Sequence, residues 1–161
     1  MAIRNLRYEG DEVLSKQARE ITVFDEKLKE LAADMFETMH KWDGLGLAGP
    51  QIGILKRIVV IDLYEEGMQF VLINPVLVKT KGVQEVDEGC LSFPNKFGKV
   101  ERPKEVVVEA LDLDGNKVKL KAKDLLAQAL CHEIDHLDGH VFVEIVKPGT
   151  LETMKPKKEE E

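Results

Sequence analysis

Cysteine is scarce in this chain: two in 161 residues, Cys90 and Cys131, are too few for a disulfide framework and read as reduced thiols in a reducing compartment. Positive charge is also in deficit. The formal net charge of −7 opposes a nucleic-acid footprint, because neutralising a phosphate backbone takes clustered Lys and Arg. Nor is there a run near the roughly 18 apolar residues of a membrane span, and the amino terminus, MAIRNLRYEGDEVLSK, lacks the apolar core of a leader. A soluble, cytoplasmic protein is expected. What remains is ample for a core: 43% hydrophobic residues over a length typical of one domain, read as a single catalytic unit over 1–150 followed by a charged tail, 151–161, expected to fray. Charged residues at 33% exceed the roughly 25% of an average domain and favour a heat-tolerant source.

From Asp25 to Trp42, Leu28, Leu31, Ala32, Met35, Phe36, Met39 and Trp42 recur at spacings of three and four, which predicts an amphipathic helix. DGLGLAGPQIG follows, and its four glycines and one proline predict a loop or tight turn whose backbone can approach something closely. RIVVIDL and MQFVLINPVLV are rich in β-branched residues, and EVVVEALDLDGNKVKLKA reads as two strands joined through Asp114-Gly115. A second helix is expected from about Asp124 to Asp138, ended by Gly139. Strands grouped between helices argue for an α+β fold with antiparallel or mixed sheets around that second helix.

The second helix carries CHEIDHLDGH. His132 and His136, four residues apart, project from one face and suit one metal ion, while Glu133 is rotated about 100° from His132, the usual place of a general base. Two ligands leave a catalytic site one short. His140 comes two residues too early for the longer histidine pattern, whose position 142 holds Phe142. Beyond the helix, only a strand-like VFVEIV and the charged tail remain to supply a glutamate. Cys90, in DEGCLSFP, is the remaining candidate; Cys131 points about 100° away from His132 and is expected in the core.

Three segments, GLGLAGPQIG (44–53), EGCLSFP (88–94) and HEIDHLDG (132–139), together resemble the signature motifs of peptide deformylases. The similarity extends through the LINP strand ending at Pro75 and to Val100 and Arg102. Gly49 stands where the family usually has alanine, which should loosen the backbone beside Gln51, and Asn95 replaces a common glycine. The resemblance implies a metal-dependent hydrolase that removes the formyl group from N-formylmethionine of new polypeptides. It implies Cys90, His132 and His136 as metal ligands, Glu133 as base, and the Gln51 amide and Leu91 N–H as donors to the carbonyl oxygen. Gly46 would let substrate backbone pair with its loop, Glu88 would order the loop around Cys90, and Leu125 and Ala129 would line a methionine pocket or serve only the core. Fe²⁺ is the implied ion, with Zn²⁺, Ni²⁺ and Co²⁺ as alternatives. Implied partners are nascent formylated chains, with transient proximity to the ribosome left open. Two other readings stay in play: a small metallopeptidase, and a closed structural zinc site engaging both cysteines.

Overall fold

The computed structural model describes residues 2–153. Helix α1 (Glu26–Lys41) is followed by strands β1 (Gly46–Ala48), β2 (Ile58–Asp62), β3 (Gln69–Lys81), β4 (Gln84–Cys90), β5 (Phe93–Arg102), β6 (Glu105–Leu111) and β7 (Lys117–Lys123), then helix α2 (Asp124–Leu137) and strand β8 (Glu152–Thr153). The fold is α+β. Every strand pair is antiparallel, in a five-stranded sheet of order β1-β2-β3-β6-β7 and a three-stranded sheet of order β4-β5-β8. Of the tail, Glu152 and Thr153 pair with Phe97 and Lys96, and 154–161 lie outside the described residues.

Strand β2 explains how the layers are built. All five of its residues are buried, and alternate side chains enter opposite cores: Val59 and Ile61 pack with Ala127, Leu130 and Leu137 of α2, while Ile58 and Val60 pack with Leu31, Met35 and Met39 of α1. The large sheet is thus sandwiched between the helices. Asp25 caps α1 by accepting the Leu28 N–H at 3.1 Å, and the apolar stripe faces the sheet as its spacing predicts. Trp42 departs from that expectation: it lies one residue past the helix and is 49% exposed, on the rim of a cavity. Gly139, at φ +79°, follows α2 in the left-handed conformation, and a Cβ there would meet the Ser15 carbonyl at 2.6 Å.

The segment expected as a loop is more ordered than its glycines suggest. Gly46–Ala48 forms the edge strand β1, and Gly49–Ile52 a short 3₁₀ turn that buries Gln51. Gly49 is not a point of looseness. It is buried, and a Cβ there would come within 2.6 Å of the carbonyl oxygens of both Ile54 and Lys56, so the absent methyl is what lets the chain pack. The β4–β5 hairpin was not anticipated as strands, since QEVDEGC and FPNKFGKVER carry few apolar residues; their pairing buries only alternate positions, Val100 among them.

Candidate active site

Cys90 ends β4 at a break in the ladder. Gly89 pairs with Phe97 but Cys90 with Phe93, so the intervening 94–96 bulge out and re-aim the strand end. Asn95, at the bulge, takes φ +65°, which explains why glycine suits this position and why Asn is tolerated. Gly89 has no room for a side chain, because a Cβ would meet the Phe97 ring at 2.8 Å. The bulge brings Cys90 to α2. Its Sγ lies 3.3 Å from His136 Nε2, and donor atoms of Cys90, His132 and His136 all fall within 4.8 Å of one another. Two ligands bound tetrahedrally at about 2.3 Å (S) and about 2.0 Å (N) stand about 3.5 Å apart, so the spacing fits one ion. Among the described residues this is the one such cluster, and Cys131 is not in it. Cys131 packs in the core, where burial pushes its thiol up to about 11, so a closed two-cysteine zinc site does not form.

Behind the histidines lies a buried ionic relay. Glu88 Oε2 is 3.0 Å from His132 Nδ1, though outside hydrogen-bonding geometry, and both Glu88 oxygens accept from Arg102, at 3.1 and 2.5 Å. Arg102 also donates to Asp135 at 2.7 Å. Burial alone would raise the Glu88 carboxyl; His132 and Arg102 outweigh it and hold the pKa at about 2. Glu88 therefore lines the cavity, yet its carboxylate is committed to His132 and Arg102. The Glu88 carboxylate thus faces the His132 ring directly, in the place from which it could orient that imidazole. With Nδ1 turned to Glu88, His132 Nε2 faces the other way, 4.0 Å from Glu133 Oε2. His136 lies buried beside His132, and burial first, then the neighbouring His132, holds its imidazole well below the usual range.

Glu133 is the second unusual carboxyl. Burial pushes it up to about 7, against the opposing pull of His132, and its Oε1 is buried with no partner. A Cβ on Gly46 would lie 2.7 Å from Glu133 Oε2, so β1 runs directly over this carboxylate. Gln51 approaches from the same side. Its Oε1 accepts the Ala48 N–H at 2.9 Å, which fixes the amide orientation and directs Nε2 to Cys90 Sγ (3.4 Å) and Ser92 Oγ (3.2 Å). Leu91 and Ser92 form the tight turn between β4 and β5. In front of these groups opens a cavity of about 770 Å³, lined by Gly46, Gln51, Leu91, Leu125, Ala129 and Glu133 among others, a size suited to a small-molecule or peptide side chain. Ala129 belongs to the core as well as the wall, while Leu125 is 46% exposed at the mouth. His140 stands apart, its side chain 65% exposed near Glu144.

The polypeptide deformylase family model matches residues 3–151. The chain belongs to that family. A peptide deformylase of Acetivibrio thermocellus is 52% identical over 146 residues, covering 91% of this chain and 85% of the relative. Peptide deformylase 1 of Clostridium acetobutylicum is 51% identical over 144 residues, covering 89% and 95%. Among solved structures, the deformylase of Legionella pneumophila superposes with a TM-score of 0.87 at 44% identity, over 91% of this chain and 87% of that one. The deformylase of Synechococcus elongatus in complex with actinonin gives 0.88 at 41% identity, over 91% and 82%. Within this deformylase site, Arg102, Asp135 and Ser92 had no role assigned from the sequence. A buried arginine looks like any surface arginine until its partners are known, and Arg102 sits 30 or more residues from Asp135.

Proposed function

We propose that Cys90, His132 and His136 hold one divalent ion, Fe²⁺ first among Fe²⁺, Zn²⁺, Ni²⁺ and Co²⁺, and that Glu133 is the proton carrier in hydrolysis of an N-formyl group. As a family member the chain is a hydrolase that removes the formyl group from nascent peptides, the N-formylmethionine that begins them, releasing formate. The observation that carries the residue assignment is the convergence of one thiol and two imidazoles within 4.8 Å beside a buried, unpartnered carboxyl oxygen. A bound ion supplies Lewis acidity and lowers the pKa of water towards neutrality.

The chain's own residues do the rest. Glu133, poised near pKa 7, takes a proton from the attacking water and delivers it to the departing amine nitrogen. The Gln51 amide and the Leu91 N–H donate to the carbonyl oxygen as it gains charge; Ala48 pre-orients Gln51 for this, so little reorganisation is needed. Edge strand β1 has its outer side unpaired in the sheet, so Gly46 and its neighbours can hydrogen-bond an extended substrate backbone. Leu125 and Ala129, one turn apart on α2, wall the place for the methionine side chain. Nascent formylated chains are the partner; a single catalytic domain over 1–150, a cytoplasmic site of action, transient ribosome proximity and no nucleic-acid binding complete the reading. No helix among the described residues is long and apolar enough to cross a membrane.

The test is formate release from a formyl-Met peptide by protein loaded anaerobically with Fe²⁺ or Ni²⁺. A fully loaded protein that releases none would sink the assignment. Cys90→Ala should lose most of its bound metal on dialysis and, with it, activity; full retention of metal would instead favour the metallopeptidase reading. Gly46→Ala should keep metal and fold while kcat falls about 10²-fold, since the new methyl displaces the Glu133 carboxylate by about an ångström. An unchanged kcat would show that the contact is without consequence.

A further inference from the structure

We infer that Tyr64 is a positioning residue for this reaction: its hydroxyl holds the Gly44 carbonyl and so sets the lip of the substrate cavity where it leads into β1. The inference rests on the deformylase reading above. Tyr64 lies two residues beyond β2, outside the three buried cores, and is 53% exposed. Its O–H donates to Gly44 O at 2.7 Å. Asp62 fixes the tyrosine: Oδ1 accepts the Tyr64 N–H at 2.7 Å, while Oδ2 lies 2.8 Å from His40 Nε2 and 3.4 Å from Gln69 Nε2. The Asp62 N–H donates to Leu45 O at 3.0 Å, a second tie to the lip. The His40 ring stacks on Phe36 at 5.9 Å and meets the Tyr64 ring at 5.6 Å, so α1 braces the same assembly.

Two observations make this more than a loop contact. Both Tyr64 (φ +60°) and Asp43 (φ +54°) adopt left-handed backbone, a conformation that side chains such as tyrosine take only where surrounding contacts over-determine it. The clamped segment is also contiguous with the site. Trp42, Asp43, Gly44, Leu45 and Gly46 all line the cavity, Gly46 packs on Glu133, and a Cβ on Gly44 would meet Leu91 Cδ1 at 2.6 Å. The lip therefore touches the residue that carries one proposed oxyanion donor and precedes the strand that covers the base. An extended substrate pairing along β1 meets a preformed edge, where a loosened lip would have to be ordered on binding.

The experiment compares metal-loaded native protein, Tyr64→Phe and Tyr64→Leu in formate release from a formyl-Met tripeptide and from formylmethionine alone. For Tyr64→Phe, KM for the tripeptide should rise about three- to tenfold with kcat within about twofold, the effect of one removed hydrogen bond expressed in binding. Metal content and Tm should match the native protein. KM for formylmethionine should rise less, because it has no residues to lie along the lip, and Tyr64→Leu should shift KM at least as far as Tyr64→Phe. A tripeptide KM within about 1.5-fold of native, or a fall in kcat that tracks a lowered Tm with KM unchanged, overturns the inference. Native protein that releases no formate overturns the deformylase reading, and this inference with it; active native protein with an unmoved KM overturns this inference alone.

Discussion

Glu133→Gln retains its metal and its fold, and its kcat for formate release falls by about 10²- to 10⁴-fold, the contribution of a positioned acid–base group. The substitution is nearly isosteric, so the packing of Gly46 against this side chain survives and the loss isolates proton transfer. Metal content, measured on the same sample, separates this outcome from loss of the ion. A second readout comes from stability. The folded carboxyl titrates near 7 because burial penalises its charge, against an ordinary value of 4.5. A raised carboxyl pKa means the folded state holds its proton longer than the unfolded one, so stability declines as pH rises from about 4.5 to about 7. Metal-stripped Glu133→Gln escapes that decline and should exceed the native protein by up to about 3 kcal/mol at pH 8, with little difference near pH 4. Urea midpoints at the two pH values check it. A loaded variant active within tenfold of native would remove Glu133 from the chemistry.

Arg102→Met has the largest expected effect on stability. The guanidinium is 5% exposed and serves two carboxylates, so removing it leaves Glu88 buried with no cation of its own, beside the His132 imidazole. Breaking one side of a buried pair costs about 3–5 kcal/mol, which for a domain of this size lowers Tm by roughly 6–20 °C. Metal affinity should fall about 10- to 100-fold as the support of His132 loosens. The pH dependence runs opposite to that of Glu133. Glu88 is depressed to about 2, so its stabilising contribution is fully present above about 4.5 and is lost as pH falls towards 2; the variant should show a shallower loss over that window. Adding Glu88→Gln to Arg102→Met should recover much of the lost stability without restoring full metal affinity. A Tm within about 3 °C of native in the single variant would contradict the buried-pair account.

The sequence exposed some parts of this molecule and hid others for physical reasons. The α1 stripe was legible because a 3.6-residue period in apolar side chains leaves few alternatives, and β2 because a strand buried on both faces must be apolar throughout. The grouping of His132, Glu133 and His136 followed from helix geometry alone. Cys90 emerged only as the candidate left once His140 and a downstream glutamate had failed, since nothing in DEGCLSFP announces a bulge that turns its thiol towards α2. In GLGLAGPQIG the close backbone approach was legible from the glycines and occurs at Gly46 against Glu133 and at Gly49 against two carbonyls, whereas the edge strand Gly46–Ala48 was not. The Arg102–Glu88–His132 relay and the Tyr64 clamp were illegible because each joins residues distant in the chain, and their polarity alone would place them in solvent.

The short chain crossings 82–83 and 103–104 tie the two sheets together, and the proposed ligands fall on both sides: Cys90 belongs to the three-stranded sheet, while His132 and His136 belong to the helix packed on the five-stranded one. An ion bound by all three is therefore also a cross-link between two halves of the fold. Its binding free energy would stabilise their docking, so metal affinity and the docking of the two halves are thermodynamically coupled, and a substitution that weakens one weakens the other.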